Sequence, residues 1–210
     1  MLRGVIFDLD GVICFTDEYH YLAWKELADR EHIYFDREIN NRLRGVSRMA
    51  SLEIVLERAD KAYAPEEKET IAAAKNDAYR RLLTRMTPAD VTEETRQTLE
   101  TLRRKGMRLA IGSSSRNARL ILGRIGLGEF FDAISDGNNI AHSKPDPEVF
   151  LKAAQMLGLE PEECLVVEDA QAGIQAAHDG GFHNAAMGDA VKCELAENLL
   201  ESFSDLLKLC

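Results

Sequence analysis

The pattern of apolar and polar residues changes twice along the chain. Gly4-Val5-Ile6-Phe7 is a short β-branched run bounded by glycines, which is typical of a buried strand. From about residue 17 to residue 83 the apolar residues recur at helical spacing, and no convincing strand is present. After residue 88, strand-like and helix-like segments alternate. The pattern therefore predicts an α/β fold: a Rossmann-like parallel sheet with helices on both faces, interrupted by an inserted α-helical cap.

The same pattern predicts the boundaries of two domains. The core comprises residues 1–15 and 88–210, and the cap comprises residues 16–87, because Met86-Thr87-Pro88-Ala89-Asp90 breaks the helical periodicity. The predicted cap helices are Glu18–Glu31, Arg37–Leu43, Met49–Ala59 and Glu66–Leu83. The predicted core helices are Thr92–Lys105, Arg116–Ile125, Pro147–Leu157 and one that ends near Asp179. Glycine follows several of these helix ends, as expected for a helix C-terminus.

Chemically active side chains follow the predicted core strands. The first strand leads into Asp8 and Asp10, an apolar run at 109–112 leads into Ser113-Ser114-Ser115, and another at 164–167 leads into Glu168-Asp169. Ligands bind at the carboxyl ends of the strands in an open parallel sheet. Two acids without a basic neighbour in sequence indicate either a bound cation or a shared proton. These segments therefore predict one site at this edge of the sheet.

Each segment also has an ordinary structural interpretation. Asp-x-Asp-Gly is compatible with a simple turn, a serine run with a loop or helix cap, and Glu168-Asp169 with the start of a helix. Lys144, between Ser143 and Pro145, would by itself be taken for a surface lysine. The four segments together are far more specific than any one of them.

In this order, the four segments resemble the haloacid dehalogenase superfamily of phosphotransferases, over essentially the whole chain. The resemblance implies that Asp8 attacks a phosphoryl group and carries it as an aspartyl phosphate, while Asp10 is the general acid and base. It implies that Ser113 and Lys144 bind the transferred group. It also implies a Mg²⁺ cofactor held by Asp8, the backbone carbonyl of Asp10 and Asp169, with Glu168 beside it.

The cap adds a narrower resemblance. Four segments of the cap are similar to those of the β-phosphoglucomutase family. They are Glu18-Tyr19-His20, Ala23-Trp24-Lys25, Leu43-Arg44-Gly45-Val46-Ser47-Arg48 and Lys75-Asn76-Asp77. This resemblance implies that Thr16 and His20 position Asp10 or respond to its movement. It implies that the sugar phosphate and its second phosphate contact a further set of residues: Arg44, Gly45, Val46, Arg48, Ser51, Lys75, Ser113, Ser115, Arg116 and Asn117.

The chain departs from that family at three positions. Phe15 stands where the family usually has aspartate, and Arg44 and Arg116 stand where it has lysine. A planar guanidinium group forms hydrogen bonds in a different geometry from an ammonium group. These changes therefore affect the prediction of which sugar is bound. Two cap residues also have a purely structural interpretation. His20 is then a residue at the surface or at the edge of the core, and Trp24 is a packing residue of the cap.

We therefore expect a Mg²⁺-dependent mutase that interconverts β-glucose 1-phosphate and glucose 6-phosphate through a 1,6-bisphosphate. Two alternatives stay open. A sugar-phosphate or phosphoglycolate-like phosphatase would use the same nucleophile and finish with water. A receiver-like regulatory module would also use acids, a hydroxyl and a lysine, although a receiver needs no cap of about 70 residues.

Composition restricts the partners. The formal charge of −10 over 210 residues, without a basic run, argues against nucleic acid. No apolar run approaches the ~20 residues of a membrane helix, and the N-terminus lacks a signal-peptide pattern. The four cysteines, scattered without a paired pattern, fit a reducing compartment. We expect a cytoplasmic monomer whose partner is a small sugar phosphate.

Overall fold

The computed structural model describes residues 1–44 and 46–210, and in these residues a six-stranded parallel sheet forms the core. The sheet order is β3-β2-β1-β4-β5-β6. Its strands are β1 (Gly4–Phe7), β2 (Arg108–Gly112), β3 (Ala133–Ser135), β4 (Cys164–Glu168), β5 (His183–Ala186) and β6 (Asn198–Leu199). The core helices are α5 (Glu93–Arg104), α6 (Ala118–Arg124), α7 (Glu148–Leu157) and α8 (Gln171–Asp179). The predicted fold class is confirmed.

The strand register brings three strand ends together. Phe7 of β1 pairs with Ile111 of β2 on one side and with Val167 of β4 on the other. The residues that follow these strands therefore leave the sheet at nearly the same level. This alignment places the Asp8, Ser113 and Glu168 positions around one point of the carboxyl edge, as the sequence pattern predicts.

The alternation of β1 side chains explains why both faces of the sheet are covered. Val5 and Phe7 are fully buried in a cluster with residues of α5 and α6, whereas Ile6 is fully buried in a second cluster with residues of α7 and α8. Successive side chains of a strand point to opposite faces of the sheet. A strand that is buried on both faces therefore has a continuous apolar sequence. The central strand is consequently a rigid support for Asp8.

The cap helices are α1 (Asp17–Arg30), α2 (Arg37–Asn41), α3 (Arg48–Leu56) and α4 (Pro65–Leu83), between β1 and the rest of the core. They have a hydrophobic cluster of their own, which includes Trp24, Leu52 and Ile71. Among the described residues, no helix is long and apolar enough to cross a membrane. The cap therefore has a core of its own and can present side chains to the site from a defined surface.

The structure differs from the sequence-based prediction mainly at element ends and at the weak strands. Helix α3 begins at Arg48, one residue before the predicted start, because the hydroxyl of Ser47 accepts a hydrogen bond from the backbone N–H of Ala50 at 3.2 Å. Helix α2 ends at Asn41. Strands β3, β5 and β6 were not predicted, because they are two to four residues long and carry alanine, serine or asparagine.

Candidate active site between the core and the cap

A cavity of about 580 Å³ lies where the cap faces the carboxyl edge of the sheet. Asp8, Ser113 and Glu168 line it from the core strands, and Lys144 lines it from the loop before α7. The backbone N–H of Asp8 donates to the carbonyl of Val167 at 2.9 Å, which ties the end of β1 to β4. The predicted strand-end residues therefore share one cavity.

Lys144 is the centre of a buried charge cluster. Its Nζ donates to Asp8 Oδ1 and to Glu168 Oε1, both at 2.5 Å, and all three side chains are buried. Burial opposes the charge on Lys144, but the two carboxylates hold its pKa above its usual value. Burial raises the pKa of Asp8 well above its usual range, against the pull of Lys144. One ammonium thus faces several acids, and the site has excess negative charge.

Glu168 also shapes the turn into α8. Its Oε2 accepts hydrogen bonds from the backbone N–H groups of Asp169 and Ala170, at 2.8 and 2.9 Å. The helix-start interpretation of Glu168-Asp169 and the catalytic one are therefore compatible. A Cβ on Gly173 would lie only 2.0 Å from the Glu168 carboxylate, so glycine makes room for this acid.

Asp10 lies beyond Asp8 on the turn toward the cap. The hydroxyl of Thr16 donates to Asp10 Oδ1, and Thr16 is buried at the start of α1. Burial raises the pKa of Asp10, although the hydrogen bond from Thr16 opposes that change. A carboxyl group with a raised pKa, held by a hydroxyl and lining the cavity, is suited to give and take a proton.

The acids at this edge fit a hard divalent cation. Burial and Glu168 raise the pKa of Asp169 to about 7, so its carboxylate lacks compensating positive charge. A Cβ on Gly11, whose φ is +96°, would lie 2.1 Å from Asp169 Oδ2, so the turn closes tightly on that carboxylate. Both Glu168 oxygens are already hydrogen-bonded. Asp8, the Asp10 carbonyl and Asp169 are thus the oxygens suited to such a cation.

The serine loop after β2 presents hydroxyl groups to the cavity. Ser113 Oγ accepts from the backbone N–H of Ser115, and Ser115 Oγ accepts from the backbone N–H of Asn117, both at 3.2 Å. Each hydroxyl proton is then free to be donated to another oxygen. The loop interpretation and the phosphate-binding interpretation of the serine run are therefore compatible.

A second cluster lies on the cap side, where α1 packs against α4. Lys75 Nζ lies 3.0 Å from His20 Nδ1 and 4.7 Å from the ring centres of both Trp24 and Tyr79. Burial, with Lys75 and Arg48 nearby, lowers the pKa of His20 well below its usual value. When Lys75 is protonated, its ammonium group only donates, so Nδ1 of the neutral imidazole accepts and Nε2 carries the proton. Trp24 therefore serves both as cap packing and as part of the cavity wall.

The Lys75 ammonium makes stability depend on pH. Burial and Arg48 lower the pKa of Lys75 from 10.5 to about 7. Between pH 7 and pH 10 the folded protein then binds fewer protons than the unfolded chain, so stability should rise with pH across that window. Lys75→Met should flatten this slope and raise the free energy of unfolding at pH 7.5 by about 1–2 kcal/mol, since cation–π contacts offset part of the burial cost.

Urea unfolding measured from pH 7 to pH 9.5 checks this prediction. The matched control is Lys61→Met, since Lys61 lies on the cap with its side chain 58% exposed, and it should retain the slope of the native protein. Parallel slopes for the native protein and Lys75→Met would show that Lys75 is not the titrating group.

A third cluster of side chains connects the cap and the core along the wall of the cavity. Arg48 of α3 and Asn117, just before α6, both donate to Asn76 Oδ1 of α4, each at 2.9 Å. Burial and the nearby Arg116 lower the pKa of Arg48. Two guanidinium groups that face the same space repel each other, and a bound anion would relieve that repulsion.

Arg44 is held at the cap–core boundary. Its guanidinium donates to Asp17 at the start of α1 and, at 3.1 Å, to Asp189 of the core. Arg44 still lines the cavity, so its predicted contact with substrate stays a prediction. Phe15, the departure at the domain junction, is 65% exposed.

The predicted site residues that the structure describes are Asp8, Asp10, Thr16, His20, Arg44, Val46, Arg48, Ser51, Lys75, Ser113, Ser115, Arg116, Asn117, Lys144, Glu168 and Asp169. Except for Thr16, which lies behind Asp10, all of these residues line the cavity. Gly45 lies outside the described residues. Their individual roles stay predictions. Sequence reasoning did not include Asn76 or Tyr79 as site residues, although both lie within one helical turn of Lys75 and could have been found from that spacing.

Comparison with known proteins agrees with this geometry. The family of haloacid dehalogenase-like hydrolases matches residues 2–181. The chain belongs to this family. It is 41% identical to a β-phosphoglucomutase of Bacillus subtilis, over 98% of this chain and 92% of that protein. It is also 34% identical to a fructose-1-phosphate phosphatase of Escherichia coli, over 85% of this chain and 93% of that one.

Solved structures give the same result. The crystal structure of a β-phosphoglucomutase from Clostridium difficile matches with a TM-score of 0.92 and 34% identity, covering 98% of this chain and 93% of that one. The chain is therefore an enzyme of the haloacid dehalogenase family and a homologue of β-phosphoglucomutase, rather than a receiver-like module. Because a phosphatase is also among its relatives, the family allows either a sugar hydroxyl or water as the final acceptor of the phosphoryl group.

Proposed function

We propose that the protein is a β-phosphoglucomutase, which converts β-glucose 1-phosphate into glucose 6-phosphate through a 1,6-bisphosphate. The observation that carries this proposal is that two groups of polar side chains line one cavity, which we assign as two phosphate-binding places. One consists of Asp8, Ser113 and Lys144; the other of Arg48, Arg116 and Asn117. A mutase must hold one phosphate while it exchanges the other, whereas a phosphatase needs only one such place.

The chemistry begins with phosphorylated Asp8. The C6 hydroxyl oxygen of the substrate attacks the phosphorus, the bond from phosphorus to Asp8 breaks, and Asp10 accepts the hydroxyl proton. The 1,6-bisphosphate then reorients, so that its C1 phosphate lies against Asp8. Asp8 attacks that phosphorus, the bond from phosphorus to the C1 oxygen breaks, and Asp10 returns the proton to that oxygen, so that glucose 6-phosphate leaves and Asp8 is phosphorylated again.

The surrounding residues stabilise the phosphoryl group as it passes between oxygens. Lys144 and Ser113 donate to the equatorial oxygens, and a Mg²⁺ held by Asp8, the Asp10 carbonyl and Asp169 would neutralise further negative charge. The cap excludes water, which would otherwise compete with the sugar hydroxyl for phosphorylated Asp8.

We also propose that the protein is cytoplasmic, since Cys14 and Cys164 are buried free thiols, and that it acts as a monomer.

The second candidate is a sugar-phosphate phosphatase, which the fructose-1-phosphate phosphatase relative favours. Arg48→Ala separates the two functions. Because a charged hydrogen bond to the second phosphate is lost, isomerisation should fall in kcat/KM by about 10- to 100-fold. Hydrolysis of acetyl phosphate, which has no second phosphate, should change less than about threefold. Coupled assays of glucose 6-phosphate and phosphate release measure both.

Arg58→Ala is the matched control, because Arg58 lies on the cap against Tyr34 and does not line the cavity. This variant should retain both activities. An equal loss of both activities in Arg48→Ala would make Arg48 a structural residue of the cap and would contradict the two-phosphate account.

A further inference from the structure

One side chain of the cap receives hydrogen bonds from both domains. Asn76 Oδ1 accepts from Arg48 Nη2, on the cap, and from Asn117 Nδ2, on the core, each at 2.9 Å. Asn76 and Arg48 are half-buried, Asn117 is buried, and all three line the cavity. This single amide therefore connects the two halves of the second phosphate-binding place.

The chemistry of the donors determines how the amides are oriented. A guanidinium group has only N–H donors, so the Asn76 atom that faces Arg48 must be the carbonyl oxygen. The same oxygen faces Asn117, whose partner atom must therefore be its nitrogen. No acceptor in the described part of the chain receives a hydrogen bond from Asn76 Nδ2, so its two N–H bonds are available to a ligand or to solvent.

We propose that Asn76 is a positioning residue of the second phosphate site. Its oxygen holds Arg48 and Asn117 in one arrangement across the cap–core boundary, so that both present their remaining donors to the same anion. This inference rests on the proposed function, since it assigns a role in holding the phosphate that is not being transferred. A ligand that requires both donors also favours the closed arrangement of the domains, in which Asn76 can bridge them.

The neutrality of Asn76 is essential to this role. Aspartate has almost the same shape and would bind Arg48 more strongly, as an ion pair. However, its charge would offset the positive charge of Arg48 and repel the phosphate. If the contact only stabilised the cap, Asn76→Asp would be harmless. If it positions Arg48 for an anion, the same substitution should weaken binding although the fold is retained.

The test measures binding of glucose 1,6-bisphosphate by calorimetry, with Mg²⁺ and in an Asp8→Asn background that prevents phosphoryl transfer. Asn76→Asp should raise Kd by about 10- to 100-fold and Asn76→Ala by about 3- to 10-fold, the range expected when charged hydrogen bonds are lost or misdirected. Asn41→Asp adds the same charge at an exposed cap position and should stay within about twofold. The thermal midpoint of Asn76→Asp should not fall.

Unchanged affinity in Asn76→Asp, or an equal loss in Asn41→Asp, would overturn the inference while leaving the proposed function intact. If Asn76→Asp does not fold, Asn76→Ala decides, and unchanged affinity there overturns the inference as well. A background protein that binds no bisphosphate would overturn both the inference and the proposed function. Tight binding without any isomerisation by the native enzyme would overturn the proposed function alone.

Discussion

Asp8→Asn should abolish turnover, with a loss in kcat on the order of 10⁴-fold or more, because the variant has no carboxylate to carry the phosphoryl group. The fold should be retained, since Lys144 keeps its 2.5 Å contact with Glu168. Native enzyme incubated with acetyl phosphate and quenched in acid should carry one phosphoryl group, which mass spectrometry should locate on Asp8.

Asp179→Asn is the matched control for this change of charge, since Asp179 is half-exposed at the end of α8 and does not line the cavity. It should have native activity. Near-native turnover of Asp8→Asn, or a phosphoryl group on another residue, would show that the nucleophile is wrongly assigned.

Asp10→Asn should lower isomerisation by about 10²- to 10⁴-fold, the usual range for a positioned general acid or base. Binding of Mg²⁺ and substrate should persist, because the proposed metal contact of Asp10 is its backbone carbonyl. Phosphorylation of Asp8 by acetyl phosphate should be affected little, since the departing acetate needs no proton. The measurements are single-turnover phosphorylation, steady-state isomerisation and Mg²⁺ titration.

Two other combinations of results in these three measurements would contradict the role assigned to Asp10. If Mg²⁺ affinity collapses, its side chain is a metal ligand. If isomerisation and phosphorylation by acetyl phosphate fall equally, it supports Asp8 rather than transferring a proton. Thr16→Val removes the hydroxyl that donates to Asp10 and should reproduce the Asp10→Asn pattern with a smaller loss in isomerisation.

The core acids could be placed from sequence because local pattern and fold agree there. Val5, Ile6 and Phe7 form a short β-branched and aromatic run that is typical of a strand buried on both faces, and the residue after such a strand reaches the ligand edge. The four motifs therefore predict a shared site from the sequence alone. Strand β5, which pairs with β4 and β6, could not be predicted in this way, since its residues Asn184 and Ala185 give no strand signal and are ordered by these neighbouring strands.

The contacts on the cap side of the site could not be predicted from the sequence. The contact between Lys75 and His20 depends on how α4 packs against α1, and the two residues are 55 positions apart. The two hydrogen bonds to Asn76 depend in addition on how the cap meets the core. Such contacts are set by tertiary packing, which neither helical periodicity nor residue type determines. The resemblance indicated the segment, and the structure shows which atoms meet.

The most direct test of the central claim is to follow ³¹P NMR signals of the native enzyme with β-glucose 1-phosphate, Mg²⁺ and a trace of glucose 1,6-bisphosphate. If the two clusters of the cavity each bind a phosphate, as proposed, glucose 6-phosphate should form in proportion to substrate consumed, while inorganic phosphate stays low. Release of inorganic phosphate at the rate of substrate loss, without glucose 6-phosphate, would contradict the account and identify the protein as a phosphatase.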